Sequence, residues 1–210
     1  MKIICVGRNY AEHAAELGNE PPKEPLLFGK WDNTLIGSGE PIVIPREATH
    51  LDAEAELAVE IGVGGRRIAE ADALDHVRGY RVANDVSARN LQYAEGQWTR
   101  AKGFDTFCPL SADIVPVSVL GDASGLRVIQ RLNGEVFQDG NTDDLIFSVP
   151  FLVAYASNAF TLEPGDLILT GTPSGVGYAR DPKISLKDGD VVECEVEGVG
   201  VVRNPVVAER

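Results

Sequence analysis

The sequence predicts an α+β fold dominated by β structure. Three observations carry this. Apolar runs are short and end at Gly or Pro, of which the 210-residue chain has 22 and 12. Residues 52–62, DAEAELAVEIG, alternate strictly between polar and apolar, the period of a half-buried strand. Segments with helical period are few and mostly short.

Taken in order, residues 2–6 (KIICV) read as an opening strand and 10–17 (YAEHAAEL) as a short helix stopped by Gly18. GNEPPKEP is loop. LLFGK, TLIG and PIVIP are short β runs cut by Gly and Pro, and 52–62 follows as the carboxylate strand. Residues 69–77 (AEADALDHV) read as helix, GYRVANDVS as strand and ARNLQYAEG as helix. LRVIQRLNG and EVFQDG form a hairpin, with Asn133-Gly134 as its turn. FSVPFLVAYASNAF (147–160) is a buried helix despite Pro150. GDLILTG, DVVECEVEG and VGVVRN are closing strands. With no repeat and no low-complexity linker, residues 1–210 read as a single domain, with 1–20 supplying an N-terminal strand and a lid.

Composition narrows the function. Hydrophobic content is 44% and charged content 24%, ordinary for a soluble globular protein. A net charge of −13 with no basic run argues against nucleic acid and against anionic membranes. Cys5, Cys108 and Cys194 are widely spaced and form no metal knuckle, so they read as reduced thiols. MKIICVG is too short an apolar start for a signal peptide, and a cytoplasmic protein is expected.

Four constellations can carry chemistry. Asp52, Glu54, Glu56 and Glu60 share one strand face, with same-face neighbours about 6.5–7 Å apart. Such a row is either a solvated edge-strand face or a divalent-cation site. Glu54 and Glu56 would supply two ligands and Asp85, at the end of an apolar strand, a third; Asp85 also suits a helix cap. Asp52 and Glu60 are expected to be peripheral. His13 and Glu16 are three apart on one helix face, which fits an incidental surface pair or a general base oriented by a carboxylate. Lys102, between Trp98 and Phe104, is either solvated or the holder of an anion. LTGTPSGVG (169–177) is not a Walker A motif; it is either a plain tight turn or a nest whose amides, with Thr172, bind a carboxylate.

VGRNYAEH (6–13), EAELAVEIG (54–62), ANDVSARNLQ (83–92), AKGFDTFCPL (101–110), FSVPFLVAYAS (147–157), LEPGDLILTGTPSGVG (162–177) and EGVGVVRNPV (197–206) together resemble the fumarylacetoacetate hydrolase superfamily, in particular its compact acylpyruvase and oxaloacetate decarboxylase members. The resemblance implies a β-rich roll of mixed sheets with a few short helices, in a homodimer. It implies Mg²⁺ or Mn²⁺ on Glu54, Glu56 and Asp85, and a catalytic dyad of His13 and Glu16 on a lid. Lys102 would act beside the metal, Gln92 and Thr172 would contact substrate, and Arg8 and Asn9 are weaker correspondences. One departure is Ala53, where relatives often carry a His or an aromatic residue. Larger relatives carry an added N-terminal domain, which this chain is expected to lack.

The activity so implied is metal-dependent hydrolysis of the C–C bond of acylpyruvates, small anionic 2-keto acids, through an enolate. Oxaloacetate decarboxylation and isomerisation of 2-hydroxyhepta-2,4-diene-1,7-dioate use the same metal logic and stay open, because fold does not choose among them.

Overall fold

The computed structural model describes residues 1–210. Its strands are β1 Ile3–Gly7, β2 Leu26–Lys30, β3 Leu35–Ile36, β4 Ile42–Ile44, β5 Leu51–Asp52, β6 Ala55–Ile61, β7 Val77–Asn84, β8 Ser87–Ala88, β9 Cys108–Pro109, β10 Val115–Pro116, β11 Arg127–Leu132, β12 Glu135–Asn141, β13 Leu167–Leu169, β14 Val191–Val196 and β15 Gly200–Ala208. Its α-helices are α1 Ala11–Glu16, α2 Arg89–Ala94, α3 Thr99–Lys102, α4 Val117–Leu120 and α5 Val149–Ala159. Only α5 exceeds two turns, so the β-rich α+β class holds.

A six-stranded sheet runs β10-β7-β6-β13-β1-β2, antiparallel except for the β1–β13 pair. A five-stranded sheet runs β12-β11-β14-β15-β4, antiparallel except for β15–β4. Two short ladders, β3–β9 and β5–β8, complete the pairing. Between the sheets lies the main core. Leu57, Val59 and Ile61 of β6 meet Val128 of β11, Cys194 and Val196 of β14, and Leu152 and Val153 of α5. Each such buried aliphatic side chain contributes roughly 1.5–3 kcal/mol.

A second, smaller cluster covers the other face of the six-stranded sheet and includes Ile3, Cys5, Ala58, Ala83, Cys108, Leu167 and Leu169. This corrects the expectation of a half-buried strand at 52–62. All seven residues of β6 are buried, and so are Asp52 and Glu54 before it. The acids lie inside the molecule, where each needs a partner.

Local chemistry explains most elements. Gly18, at φ +73°, ends α1: its N–H bonds Ala15 O while Asn19 N–H bonds Ala14 O. Asn133 (φ +53°) and Gly134 (φ +86°) make the tight β11–β12 turn. Ser148 caps α5 through Phe151 N–H, and Pro150 falls in the first turn, where its missing donor costs nothing. Residues 69–77 differ from expectation. They form a 3₁₀ segment, Glu70–His76, because Ala69 offers no capping side chain and β7 begins at once at Val77. The carboxylate strand is also broken into β5 and β6, with Ala53 and Glu54 between. The turns α3 and α4 are too short to leave a periodic signal.

Candidate active site

The β6–β7 register builds the carboxylate cluster. Ala55 pairs with Asn84, so Glu54 and Asp85 stand opposite one another just past the last pair. Asp85 N–H bonds Glu54 O at 2.9 Å, and Asn84 Oδ1 accepts Glu54 N–H at 3.0 Å. Glu56, two residues along β6, shares their face. Each of the three offers an oxygen within 4.8 Å of the others, and all are buried.

Cations surround the cluster. Lys102 Nζ donates to Glu54 Oε2 at 2.7 Å and to Asp85 Oδ2 at 2.6 Å. Lys30 Nζ donates to Asp85 Oδ1 at 2.6 Å. Arg89 donates from Nε to Asp52 Oδ2 at 3.0 Å and from Nη1 to Gln92 Oε1 at 2.9 Å. Its Nη2 lies 2.7 Å from Glu54 Oε1 as an ion pair whose N–H directions miss hydrogen-bond geometry. Glu56 is the exception: its one hydrogen bond comes from Gly171 N–H at 2.8 Å.

The electrostatics follow. Burial pushes the Glu54 carboxyl up, but Lys102 and Arg89 outweigh it and hold it well below the usual range. Burial, with repulsion from Asp85 and Glu54, pushes Glu56 well above that range. A third carboxylate with one amide for company is a place where a further cation would be stabilised. The donor set is all oxygen, which suits a hard cation such as Mg²⁺ or Mn²⁺. The residues present therefore fit a divalent ion on Glu54, Glu56 and Asp85.

A cavity of about 260 Å³ opens over the cluster, lined by Arg8, His13, Glu54, Glu56, Asp85, Gln92, Lys102 and Thr172 among others. Such a volume suits a small ligand. His13 Nδ1 lies 2.7 Å from Glu16 Oε1, and its Nε2 lies 4.0 Å from Glu54 Oε1. Glu16 sits behind His13 and is itself held by Gly175 N–H at 2.8 Å. Gly175 has φ +106°, so a glycine suits this turn. Lys102 rests over the Phe28 ring at 5.1 Å, a different aromatic from the two flanking it in sequence. Thr172 spends its hydroxyl proton on Ala55 O at 2.9 Å and accepts from Gln138 Nε2 at 2.7 Å. What it offers a ligand is its backbone N–H. Asn9 does not line the cavity; it is buried, and its amide bonds Thr170 O and Phe147 O and N–H.

All the anticipated site residues thus converge on one cavity or directly behind it. Asp52 and Glu60 stay off the cluster. Asp52 accepts from Arg89, Gly177 N–H and Tyr178 N–H, and Glu60 pairs with Arg78 and Arg81. Sequence reasoning missed Arg89 and Lys30, both fully buried. A charged residue closing an apolar strand (LLFGK) and an arginine between two buried elements were the available signals.

Residues 2–207 match the model of the fumarylacetoacetate (FAA) hydrolase C-terminal family. The chain belongs to the fumarylacetoacetate hydrolase family. It is 48% identical over 208 residues to a mitochondrial oxaloacetate tautomerase of Xenopus laevis, covering 98% of this chain and 65% of that protein. It therefore spans slightly less than two thirds of that relative. Among solved structures of the hydrolase fold, it matches the Pseudomonas aeruginosa fumarylpyruvate hydrolase in complex with Mn²⁺ and pyruvate at TM-score 0.91 and 34% identity, covering 100% of this chain and 90% of that one. It also matches a 2-hydroxyhepta-2,4-diene-1,7-dioate isomerase of Mycobacterium marinum at TM-score 0.87 and 41% identity, covering 99% of this chain and 75% of that one. The chain thus combines membership of this family with a buried acidic cluster suited to a metal ion. No helix is long and apolar enough to cross a membrane.

Proposed function

We propose that this enzyme moves a proton at the carbon next to the carbonyl of a small 2-keto acid, interconverting its keto and enol forms, with Mg²⁺ or Mn²⁺ on Glu54, Glu56 and Asp85. The observation that carries this is His13. Backed by Glu16 at 2.7 Å, it turns its other ring nitrogen toward Glu54 at 4.0 Å. A base there adjoins the reacting end of any keto acid held at the cluster.

A bound divalent cation supplies Lewis acidity at the 2-oxo oxygen, which acidifies the neighbouring C–H. The rest falls to the chain. His13 takes the proton from carbon and returns it to oxygen or carbon. Glu16 orients the imidazole and stabilises its cation. Lys102 offsets the negative charge that develops on the substrate. Thr172 N–H holds the substrate carboxylate, Gln92 lines its path, and α1 serves as a lid that excludes water. Two relatives support the reading: a tautomerase and an isomerase both relocate hydrogen without breaking the carbon skeleton.

C–C hydrolysis of acylpyruvates is a second reading, favoured by the likeness to a fumarylpyruvate hydrolase over 90% of its length. In that reaction His13 takes a proton from water. The hydroxide formed adds to the distal carbonyl, and the C–C bond breaks to leave pyruvate enolate and a carboxylic acid. Oxaloacetate decarboxylation needs the same electron sink but no base.

One assay separates the three. Metal-stripped enzyme, with and without Mg²⁺, is given oxaloacetate or acetylpyruvate, and NMR follows keto–enol equilibration and pyruvate release. Metal-dependent equilibration of oxaloacetate without pyruvate is the expected result. Release of pyruvate and acetate from acetylpyruvate moves the assignment to a hydrolase. Pyruvate from oxaloacetate alone makes it a decarboxylase.

A further inference from the structure

We infer that Gln138 is a positioning residue of the metal centre: from the five-stranded sheet it fixes the backbone between Glu54 and Glu56, and so sets how those two carboxylates meet an ion. The inference rests on the metal reading above. Gln138 lies on β12, is fully buried and is not among the residues that line the cavity. It acts through what it holds.

The pairing of β6 leaves a gap at this point. Glu54 turns its N–H and C=O to the β7 side, where Asn84 Oδ1 and Asp85 N–H meet them. Successive residues of a strand bond to opposite sides, so the N–H and C=O of Ala55 point to the β13 side. There β13 ends its pairing at Leu169, opposite Ala58. Leu57 O is still met by Thr170 N–H at 3.1 Å, but two residues earlier no backbone group meets Ala55 from that side. A buried N–H and C=O cannot be left unpaired without cost. Side chains fill the gap. Ala55 N–H donates to Gln138 Oε1 at 2.9 Å, Gln138 Nε2 donates to Thr172 Oγ1 at 2.7 Å, and Thr172 Oγ1 donates to Ala55 O at 2.9 Å. The three residues close a ring. Gln138 Nε2 also donates to Pro173 O at 2.7 Å. Ala55 N–H can only donate and Pro173 O can only accept, so the amide has one orientation, and the Thr172 proton is left for Ala55 O.

The local shape of β12 serves this contact. Gln130 pairs with Gln138 but Arg131 pairs with Val136, so Phe137 is an extra residue, a bulge beside Gln138 on an edge strand. Two glycines let the Gly-rich loop after β13 lie against β12: a Cβ on Gly140 would run into Pro173, and one on Gly175 into Phe137 O. The ring thus ties β6, β12 and that loop together at the residue between two carboxylates. A displacement of Ala55 moves Glu54 and Glu56 together, and Mg²⁺ tolerates little displacement, since it demands near-octahedral oxygens at about 2.1 Å.

The test titrates metal-stripped protein with Mg²⁺ and with Mn²⁺ in a calorimeter. It compares wild type with Gln138→Met, Thr172→Val, Thr172→Ser and the double variant Gln138→Met/Thr172→Val. The first two open the ring at different members, whereas Thr172→Ser keeps the hydroxyl and the ring. Leu152→Ala, a buried truncation on α5 outside the ring, controls for lost stability, which urea unfolding reports for every variant. Each opening is expected to weaken binding of both ions by about 10- to 100-fold, the size expected for an outer partner that orients a metal ligand. The double variant should lose little more than the worse single one, because the ring acts as a unit. Thr172→Ser and Leu152→Ala should bind both ions nearly as wild type does. Unchanged affinity in the opened variants, or an equal loss in Leu152→Ala, overturns the inference. If Gln138→Met does not fold, the Thr172 variants decide: equal affinity with Val and with Ser overturns it. A wild type that binds neither ion defeats the metal reading itself, and the inference with it.

Discussion

Three carboxylates share one buried wall with two lysines and an arginine, and the balance among them sets what each residue can do. His13 stands at the edge of that group, with Glu16 behind it. Replacing His13 by Ala should lower turnover by about 10²–10⁴-fold, the span expected of a general base. Mg²⁺ affinity, read by calorimetry, should change little, since His13 lies 4.0 Å from the nearest cluster oxygen. A loss of metal binding of the same size would make His13 a ligand instead. Asp52 has a different duty. It accepts from Arg89, Gly177 and Tyr178 and so ties α2 to the end of the Gly-rich loop. Asp52→Ala leaves the buried Arg89 with Glu54 as its one remaining carboxylate and takes the acceptor from the Gly177 and Tyr178 amides, and urea unfolding should show a loss of about 3–5 kcal/mol.

At the scale of elements, the Gly-rich loop after β13 joins the parts of the site. Gly171 N–H holds Glu56, Thr172 bonds back to Ala55 O, and Gly175 N–H holds Glu16. A Cβ at Gly175 would run into Phe137 O, and φ there is +106°. Gly175→Ala should therefore lower the thermal midpoint and also reduce kcat, because Glu16 loses its anchor. Ser174→Ala, which removes only the 3.2 Å bond to Glu12, serves as the control and should keep near-normal stability. The central strand is equally exacting. Leu57 is fully buried between the sheets, so Leu57→Ala should cost about 2–5 kcal/mol in equilibrium unfolding, with the carboxylate cluster unaltered in kind.

Across the whole molecule, burial governs the response to alkali. Burial pushes the Cys108 thiol up to about 12, and burial also raises Cys5, Cys194, Tyr10 and Tyr80. These groups stay protonated in the folded state above the pH at which they ionise when exposed. Above about pH 9 the unfolded chain binds fewer protons than the folded one, so stability falls as pH rises. The thiol contribution is full below pH 9 and is lost between pH 9 and about 12. Thermal midpoints should decline across that window, and Cys108→Ala should make the decline shallower. Metal acts in the opposite sense: Mg²⁺ at 100 times its dissociation constant should add about 2.7 kcal/mol to the unfolding free energy, and chelation should remove it.

Much of this protein is determined by local sequence. Strand period, Gly and Pro punctuation, the Asn133-Gly134 turn and the Gly18 stop act through near neighbours, so they are legible without a fold. The i, i+2 spacing of Glu54 and Glu56 and the i, i+3 spacing of His13 and Glu16 place each pair on one face for the same reason. Tertiary structure alone decided that the acidic face of 52–62 is enclosed, because Cys108 and Leu110 from outside the six-stranded sheet pack on that side and Lys102 and Arg89 sit on Glu54. It alone set Glu54 opposite Asp85 through the β6–β7 register, brought Lys30 from β2 and Arg89 from α2 onto the cluster, and set Arg8 beside the Trp98 ring. Those are contacts between residues far apart in the chain, and no local periodicity encodes which charges will meet.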